Sequence, residues 1–265
     1  MIQDNAGFYY RHGELSFDFD DEHQDYELAG IEFVILKNYL EDISNALHLF
    51  CGAGRHVLEF SKHNIQSVGL DISSYLICRA NELLKKEKCL NANVLCANVL
   101  NLPFHEKQFQ CVTALGNSIC LLTGDQLKIL FLQIKKVVKK SGLFLMDMPD
   151  FHWLIEKQGM ELNSGSMTKE FISNKFGPGQ FTWERSYHPD KNMICSNEEI
   201  VFALGEHNEK RLKSKFCFNT LYPDDVKAIA NTFRLEHLTT ISYEDPREIY
   251  RGMLKKRLFM VFQNA

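Results

Sequence analysis

Several features are scarce in this chain, and each absence narrows what it can be. No uninterrupted apolar run approaches the roughly 20 residues that span a bilayer, so no membrane helix is expected. The opening Met1-Ile2-Gln3-Asp4-Asn5 has neither the basic flank nor the apolar stretch of a secretory signal. None of the eight cysteines (51, 78, 89, 96, 111, 120, 195 and 217) forms a CxxC pair, so no metal is assigned. Several lie in apolar runs such as Phe109-Gln110-Cys111-Val112, which reads as reduced, buried thiols in a cytoplasmic protein. Excess charge of either sign is missing too: 30 Lys and Arg against 34 Asp and Glu leave a net charge of −4. That balance disfavours a charge-driven nucleic-acid binder.

Apolar residues make up 45% of the 265, enough for one large core carrying a small insertion. The first 45 residues are acidic and aromatic, with helical spacing from Tyr26 through Ile31, Val34 and Leu40. From Ala46 an alternation sets in. Strands are expected at 46–51, 66–71, 94–96 and 109–115, with helices at 55–63, from Ser73 or Ser74 to about Lys88, and at 125–139. Ser141-Gly142 is expected to end the last of these helices through a left-handed glycine, before a fifth strand at 143–146. Strict alternation implies a mostly parallel sheet covered on both faces. After Pro149 the texture becomes strands joined by turns, at 181–187, 194–204 and 211–221. A helix at 223–233 and two strands at 235–242 and 256–263 close the chain.

The most informative stretch is His48-Leu49-Phe50-Cys51-Gly52-Ala53-Gly54-Arg55, followed by Val68-Gly69-Leu70-Asp71. A glycine turn between strand and helix lets a ligand lie against bare backbone. An acidic residue ending the second strand is placed to accept both hydroxyls of a ribose, and Asp71 stands 17 residues after Gly54. Together they favour an adenosine-containing ligand. A dinucleotide fingerprint would need a third glycine where Val57 stands, and no GK[ST] follows to make a P-loop.

The run Leu47–Arg55 resembles the first motif of class I S-adenosylmethionine-dependent methyltransferases. The resemblance continues through Gly69-Leu70-Asp71-Ile72-Ser73, Leu102-Pro103-Phe104, Leu115-Gly116-Asn117-Ser118 and Val138-Lys139-Lys140-Ser141-Gly142, covering roughly residues 26–148. Leu-Gly-Asn-Ser is similar to the small-molecule, N-directed branch of that superfamily. The fold implied is a Rossmann-like seven-stranded, mostly parallel α/β sheet with helices on both faces. Its last strand is antiparallel, and a small antiparallel β insertion is added. Residues 1–45 would form an N-terminal lid or helical segment, 46–150 the cofactor-binding core, 151–222 a β-rich substrate-side insertion, and 223–265 the elements completing the sheet.

Position by position, the resemblance implies that Cys51, Gly52 and Gly54, with Arg55 beyond them, hold the methionyl part of S-adenosyl-L-methionine. Asp71 would clasp the ribose, Ile72 pack on adenine, and Asn98 with Val99 meet the adenine edge. Leu115 and Gly116 would lie beneath the sulfonium. Two departures stand out. His48 occupies the place of an acidic residue that supports the glycine turn, and Asn98 that of an Asp. Phe50 stands where the family usually has Gly.

On the acceptor side, Asn117 and Ser118 follow the fourth strand, as catalytic and substrate-binding candidates or as ordinary turn caps. Asp147, Asp150, His152 and Trp153 follow the fifth strand; His152 is a candidate general base and Trp153 a substrate contact. Tyr9, Tyr10 and Tyr26 read as a water-excluding lid or as a packed aromatic segment. Trp183, Arg185 and Tyr187 share one strand face, where they either wall an acceptor pocket or join a core. Relatives that methylate glycine-like amines carry His-Leu where this chain has Leu121-Leu122, which speaks against that substrate. The sequence thus points to methyl transfer onto a small molecule, at nitrogen before oxygen, without nucleic acid or membrane. The second reading is a protein of the same fold that binds cofactor without turnover. A nicotinamide-dependent oxidoreductase, resting on sheet topology alone, is third.

Overall fold

The computed structural model of the protein describes residues 26–158, 166–173, 176–203, 208–244 and 256–265. The elements in chain order begin with α1 (Tyr26–Leu40), β1 (Asn45–Leu49), α2 (Arg55–Lys62), β2 (Gln66–Asp71), α3 (Ser74–Lys86), β3 (Ala92–Cys96) and β4 (Phe109–Ala114). They continue with α4 (Gly124–Val137), β5 (Val138–Pro149), α5 (Phe151–Gln158), β6 (Ser166–Ser173), β7 (Gly177–His188), β8 (Met193–Ala203) and β9 (Glu209–Asn219). Last come α6 (Pro223–Thr232), β10 (Leu235–Glu244) and β11 (Lys256–Asn264).

Seven strands form one sheet in the order β10-β11-β5-β4-β1-β2-β3. All neighbours pair in parallel except β11, which runs antiparallel to both β5 and β10. The strand order reverses beside β1: β2 and β3 extend one way and β4 and β5 the other. Open parallel sheets bind ligands at such a switch point, beyond the carboxyl ends of the strands.

Both faces are buried, as a parallel sheet requires. Period-two alternation sends Phe144, Met146, Met260 and Phe262 into a core with Leu130, Phe131 and Ile134 of α4 and Val226 of α6. The intervening Leu145, Phe259 and Val261 face Phe33, Leu36 and Leu40 of α1 and Phe60 of α2. Helix starts follow local chemistry. The Ser73 hydroxyl accepts from the Leu76 N–H, Thr123 and Gln126 make a reciprocal capping box, and Pro223 opens α6.

Three expectations need correction. The helix expected to end at Ser141-Gly142 stops at Val137, where β-branched Val137-Val138 turn the chain directly into β5. Ser141, not Gly142, takes the left-handed conformation, at φ 58°. Gly142 is needed for closeness instead: a β-carbon there would lie 2.8 Å from the Gln110 carbonyl oxygen. The segment after β5 is helical, so His152 and Trp153 stand on α5 rather than in a loop.

The β insertion is a second sheet, β6-β7-β8-β9, antiparallel throughout, with β6 an addition to the three expected strands. Cys195 of β8 lies directly opposite Cys217 of β9, and the two form a disulfide. This departs from the expectation of eight reduced thiols. The other six cysteines are free. No helix among the described residues is long and apolar enough to cross a membrane.

Candidate functional site

The turn after β1 is built from backbone that only glycine-like conformations allow. Phe50, Gly52 and Gly54 take φ of 54°, 52° and 89° in succession. Beside it Gly69 permits close packing: a β-carbon there would meet Val57 at 2.6 Å and the Cys51 sulfur at 2.8 Å. Gly52 is the opposite case. A β-carbon there would meet nothing within 4 Å, so the turn presents bare backbone to open space.

Asp71, at the end of β2, ties this turn to the next helix. Its Oδ2 accepts the Gly52 N–H and its Oδ1 the Ser73 N–H, each at 2.9 Å. Burial pushes its carboxyl above the usual range, while these N–H donors oppose that shift. With the Ile72 N–H also donating, three backbone donors meet two oxygens that offer about four lone-pair sites, which leaves room for a further donor. Cys51 is buried, and burial together with Asp71 raises its thiol well above the ordinary value, so it packs rather than reacts.

His48 is 1% exposed, its ring nitrogens 2.9 Å from the Thr113 hydroxyl and 3.3 Å from that of Ser67. Burial, with His56 nearby, pushes its pKa down to about 3, so it is a neutral brace between strands. It does not face the open edge, contrary to the cofactor contact expected of it. Asn98 is exposed and spends its Oδ1 on the Leu100 N–H at 2.9 Å, capping its own turn. Val99 and Leu115 are buried and Ile72 half-buried. Glycine 116 is exposed at φ 90°.

Asn117 follows in the left-handed conformation, at φ 62° and 7% exposed. Its N–H donates to Asp147 Oδ1 at 3.0 Å, yet its side-chain Oδ1 is buried and finds no donor among the described residues. A buried acceptor of this kind calls for a hydrogen-bond donor. Ser118 is half-buried and begins a short 3-10 turn, Ser118–Leu121.

Residues that sequence reasoning passed over lie just behind. Glu32 is fully buried on α1, with Oε2 2.5 Å from His56 Nε2 and 3.8 Å from Arg55 Nη2. Its Oε1 accepts from the Tyr243 hydroxyl at 2.9 Å and from Arg257 Nη1 at 3.3 Å. Arg257 also pairs with Asp147 Oδ2. Burial works against ionisation of Glu32, but His56 and the two guanidiniums outweigh it and hold the carboxyl well below the usual carboxylate range. A sequence signal existed: Glu32 is the one polar position in the buried stripe Leu28, Glu32, Leu36, Leu40. An acid on such a stripe needs a buried partner.

His152 is exposed on α5, its ring centroid 4.5 Å from that of Tyr222. Tyr222 in turn hydrogen-bonds Tyr187 of β7. Trp153 is half-buried against the core around α4. The β7 register sets Arg185 opposite Ser196 and Tyr187 opposite Ile194, so these two share a face, while the side chain of Trp183 lies outside what is described. Tyr9 and Tyr10 lie outside the described residues, and Tyr26 opens α1. No group of three or more metal-ligating side chains occurs among the described residues.

A family model described as a methyltransferase domain matches residues 46–142. No curated protein sequence matches the chain. An S-adenosylmethionine-dependent methyltransferase from Clostridium acetobutylicum superposes with a TM-score of 0.70 at 15% identity, over 97% of this chain and 99% of that one. The sugar N-methyltransferase KedS8 from Streptoalloteichus gives 0.68 at 13% identity, over 100% and 94%. SAM-bound CalS10, an amino pentose methyltransferase from Micromonospora echinaspora, gives 0.64 at 12% identity, over 91% of each chain. The bare backbone at Gly52 and the Asp71 oxygens have the chemistry that S-adenosylmethionine would need at its methionyl and ribose parts. Residues 46–142 match the methyltransferase-domain model, and the chain as a whole has the fold of the S-adenosylmethionine-dependent methyltransferases it superposes on.

Proposed function

We propose that the protein transfers a methyl group from S-adenosyl-L-methionine to a nitrogen of a small polar molecule. The observation that carries this is the buried, unpartnered Oδ1 of Asn117 beside exposed Gly116, at the switch point of the sheet. The cofactor supplies a methyl group on a positively charged sulfur. Nitrogen forms the new N–C bond as the C–S bond breaks, and the nitrogen then releases a proton. Such a displacement asks the protein mainly for alignment and exclusion of water.

The chain's residues divide that task. Gly52 and Gly54 with Arg55 hold the methionyl end, Asp71 accepts the ribose hydroxyls, and Ile72 and Val99 flank the adenine. Asn117 Oδ1 accepts from the incoming amine and orients its lone pair, with Ser118 alongside. His152 takes the released proton. Trp153 of α5 and Arg185 of β7 border the acceptor. Nitrogen and a hydroxylated acceptor gain support from the two similar structures described as a sugar N-methyltransferase and an amino pentose methyltransferase.

The test is calorimetric titration with S-adenosylhomocysteine, then methyl transfer to a panel of amino sugars and simple amines. Asn117→Ala is expected to keep S-adenosylhomocysteine affinity and lower turnover at least tenfold. No cofactor binding at millimolar ligand overturns the reading. Tight binding without transfer to any amine favours the second reading, a cofactor-binding protein without turnover. Its support is that neither residue 48 nor residue 98 carries a carboxylate.

A further inference from the structure

Arg257 is fully buried on β11 and touches two carboxylates, each of which leads to the neighbourhood of Gly116. One route runs through Asp147. Its Oδ2 takes the guanidinium and its Oδ1 takes the Asn117 N–H at 3.0 Å, at a residue holding φ 62°. The other runs through Glu32. Its Oε1 accepts from Arg257 at 3.3 Å and its Oε2 lies 3.8 Å from Arg55 Nη2. That same Nη2 is 3.7 Å from where a Gly116 β-carbon would stand. The Arg55 side chain is 25% exposed, so it reaches the open edge while Glu32 does not.

We propose that Arg257 is a positioning residue of the transfer site, setting Asn117 through Asp147 and Arg55 through Glu32. This rests on the methyltransferase reading above. The physical argument starts from cost. Charges on the apolar face shared by Leu145, Phe259 and Val261 are expensive to desolvate, and apolar residues of similar volume usually serve stability as well or better. Among the described residues two carboxylates face two guanidiniums and His56, and of the four charged groups only Arg55 reaches the surface. A planar, two-sided donor is what holding two carboxylates at once requires, and lysine does not supply it. The N-terminal helix thereby contributes a carboxylate close to the glycine turn, whose own strand carries neutral His48 instead.

Two ligands separate the arms: S-adenosylhomocysteine, and the analogue with an amine in place of the methyl-bearing sulfonium. Arg55 serves the end common to both, whereas Asn117 meets only the amine. Glu32→Gln is expected to weaken both ligands about tenfold and leave their ratio unchanged. Asp147→Asn is expected to leave S-adenosylhomocysteine within about twofold and weaken the amine analogue about tenfold. Arg257→Lys should do both. Unmoved affinities in a folded Arg257→Lys protein overturn the proposal, as do Glu32→Gln and Asp147→Asn variants that loosen both ligands equally. Where Arg257→Lys does not fold, the two isosteric variants decide. Wild-type protein that binds neither ligand sinks the methyltransferase reading itself, whereas normal wild-type binding with unmoved variants sinks only the relay.

Discussion

The Gly52 N–H donates to Asp71 Oδ2 at 2.9 Å, joining the turn after β1 to the end of β2. The carboxylate proposed to receive the ribose thus also shapes the loop above it.

Replacing Asp71 removes both functions. Asp71→Ala is expected to weaken S-adenosylhomocysteine about a hundredfold or more, at roughly 1.5–3 kcal/mol for each charge-assisted bond lost. Asp71→Asn keeps one oxygen and should lose less. Because burial raises this carboxyl, affinity should start to fall on acidification above the ordinary carboxylate range. Titration calorimetry across pH checks both statements.

Two glycines near that contact should fail in different ways. Gly69→Ala drives a methyl to within 2.6 Å of Val57 and 2.9 Å of Val94, an overpacking of about 1–3 kcal/mol visible in denaturant midpoints. Gly52→Ala meets no neighbour and pays only for its left-handed backbone, about 1–2 kcal/mol. Its methyl enters the proposed ligand space, so cofactor affinity should drop at least about tenfold. Equal binding by Gly52→Ala and wild type would remove the cofactor from that space.

His48 gives the fold an acid sensitivity with a definite sign. Its folded pKa of about 3 lies below the ordinary 6.5, so the unfolded chain binds the proton more readily. The resulting stability is intact above 6.5 and is lost as pH falls toward 3, at about 1.4 kcal/mol per pH unit. His48→Gln should flatten that slope in urea titrations between pH 6 and 4, after allowance for the parallel contribution of His56, also pushed down by burial and Arg55.

The bond between Cys195 and Cys217 should be countable. Thiol titration in denaturant without reductant is expected to find six thiols of the eight cysteines. Reduction, or Cys195→Ser with Cys217→Ser, should cost about 3 kcal/mol, since the bridge closes a loop of 22 residues. A count of eight restores the fully reduced reading.

What the sequence disclosed was largely local. The glycine turn, Asp71 at a strand end and the strand–helix alternation all signal through near neighbours, and a mostly parallel sheet follows from them; its seven strands in one sheet came with the family resemblance. Gly142 misled because a glycine needed for close approach looks the same as one needed for a cap. Asn98 showed its residue type but not that Leu100 consumes its oxygen. Glu32 and Arg257 stand 225 positions apart; Glu32 is a single charge in an apolar stretch, and Arg257 is the last of three consecutive basic residues. Only the register of β10, β11 and β5 under α1 brings them together.

β11 wedges between β5 and β10, away from the sheet's edges, although it holds the final residues described. A ribosome making this chain therefore releases most of the sheet before the strand that seals it. Until that strand arrives, β5 exposes an unpaired edge and Glu32 and Asp147 lack their guanidinium. A nascent or clipped chain missing those nine residues would keep the glycine turn but lose the guanidinium proposed to anchor the site beneath it.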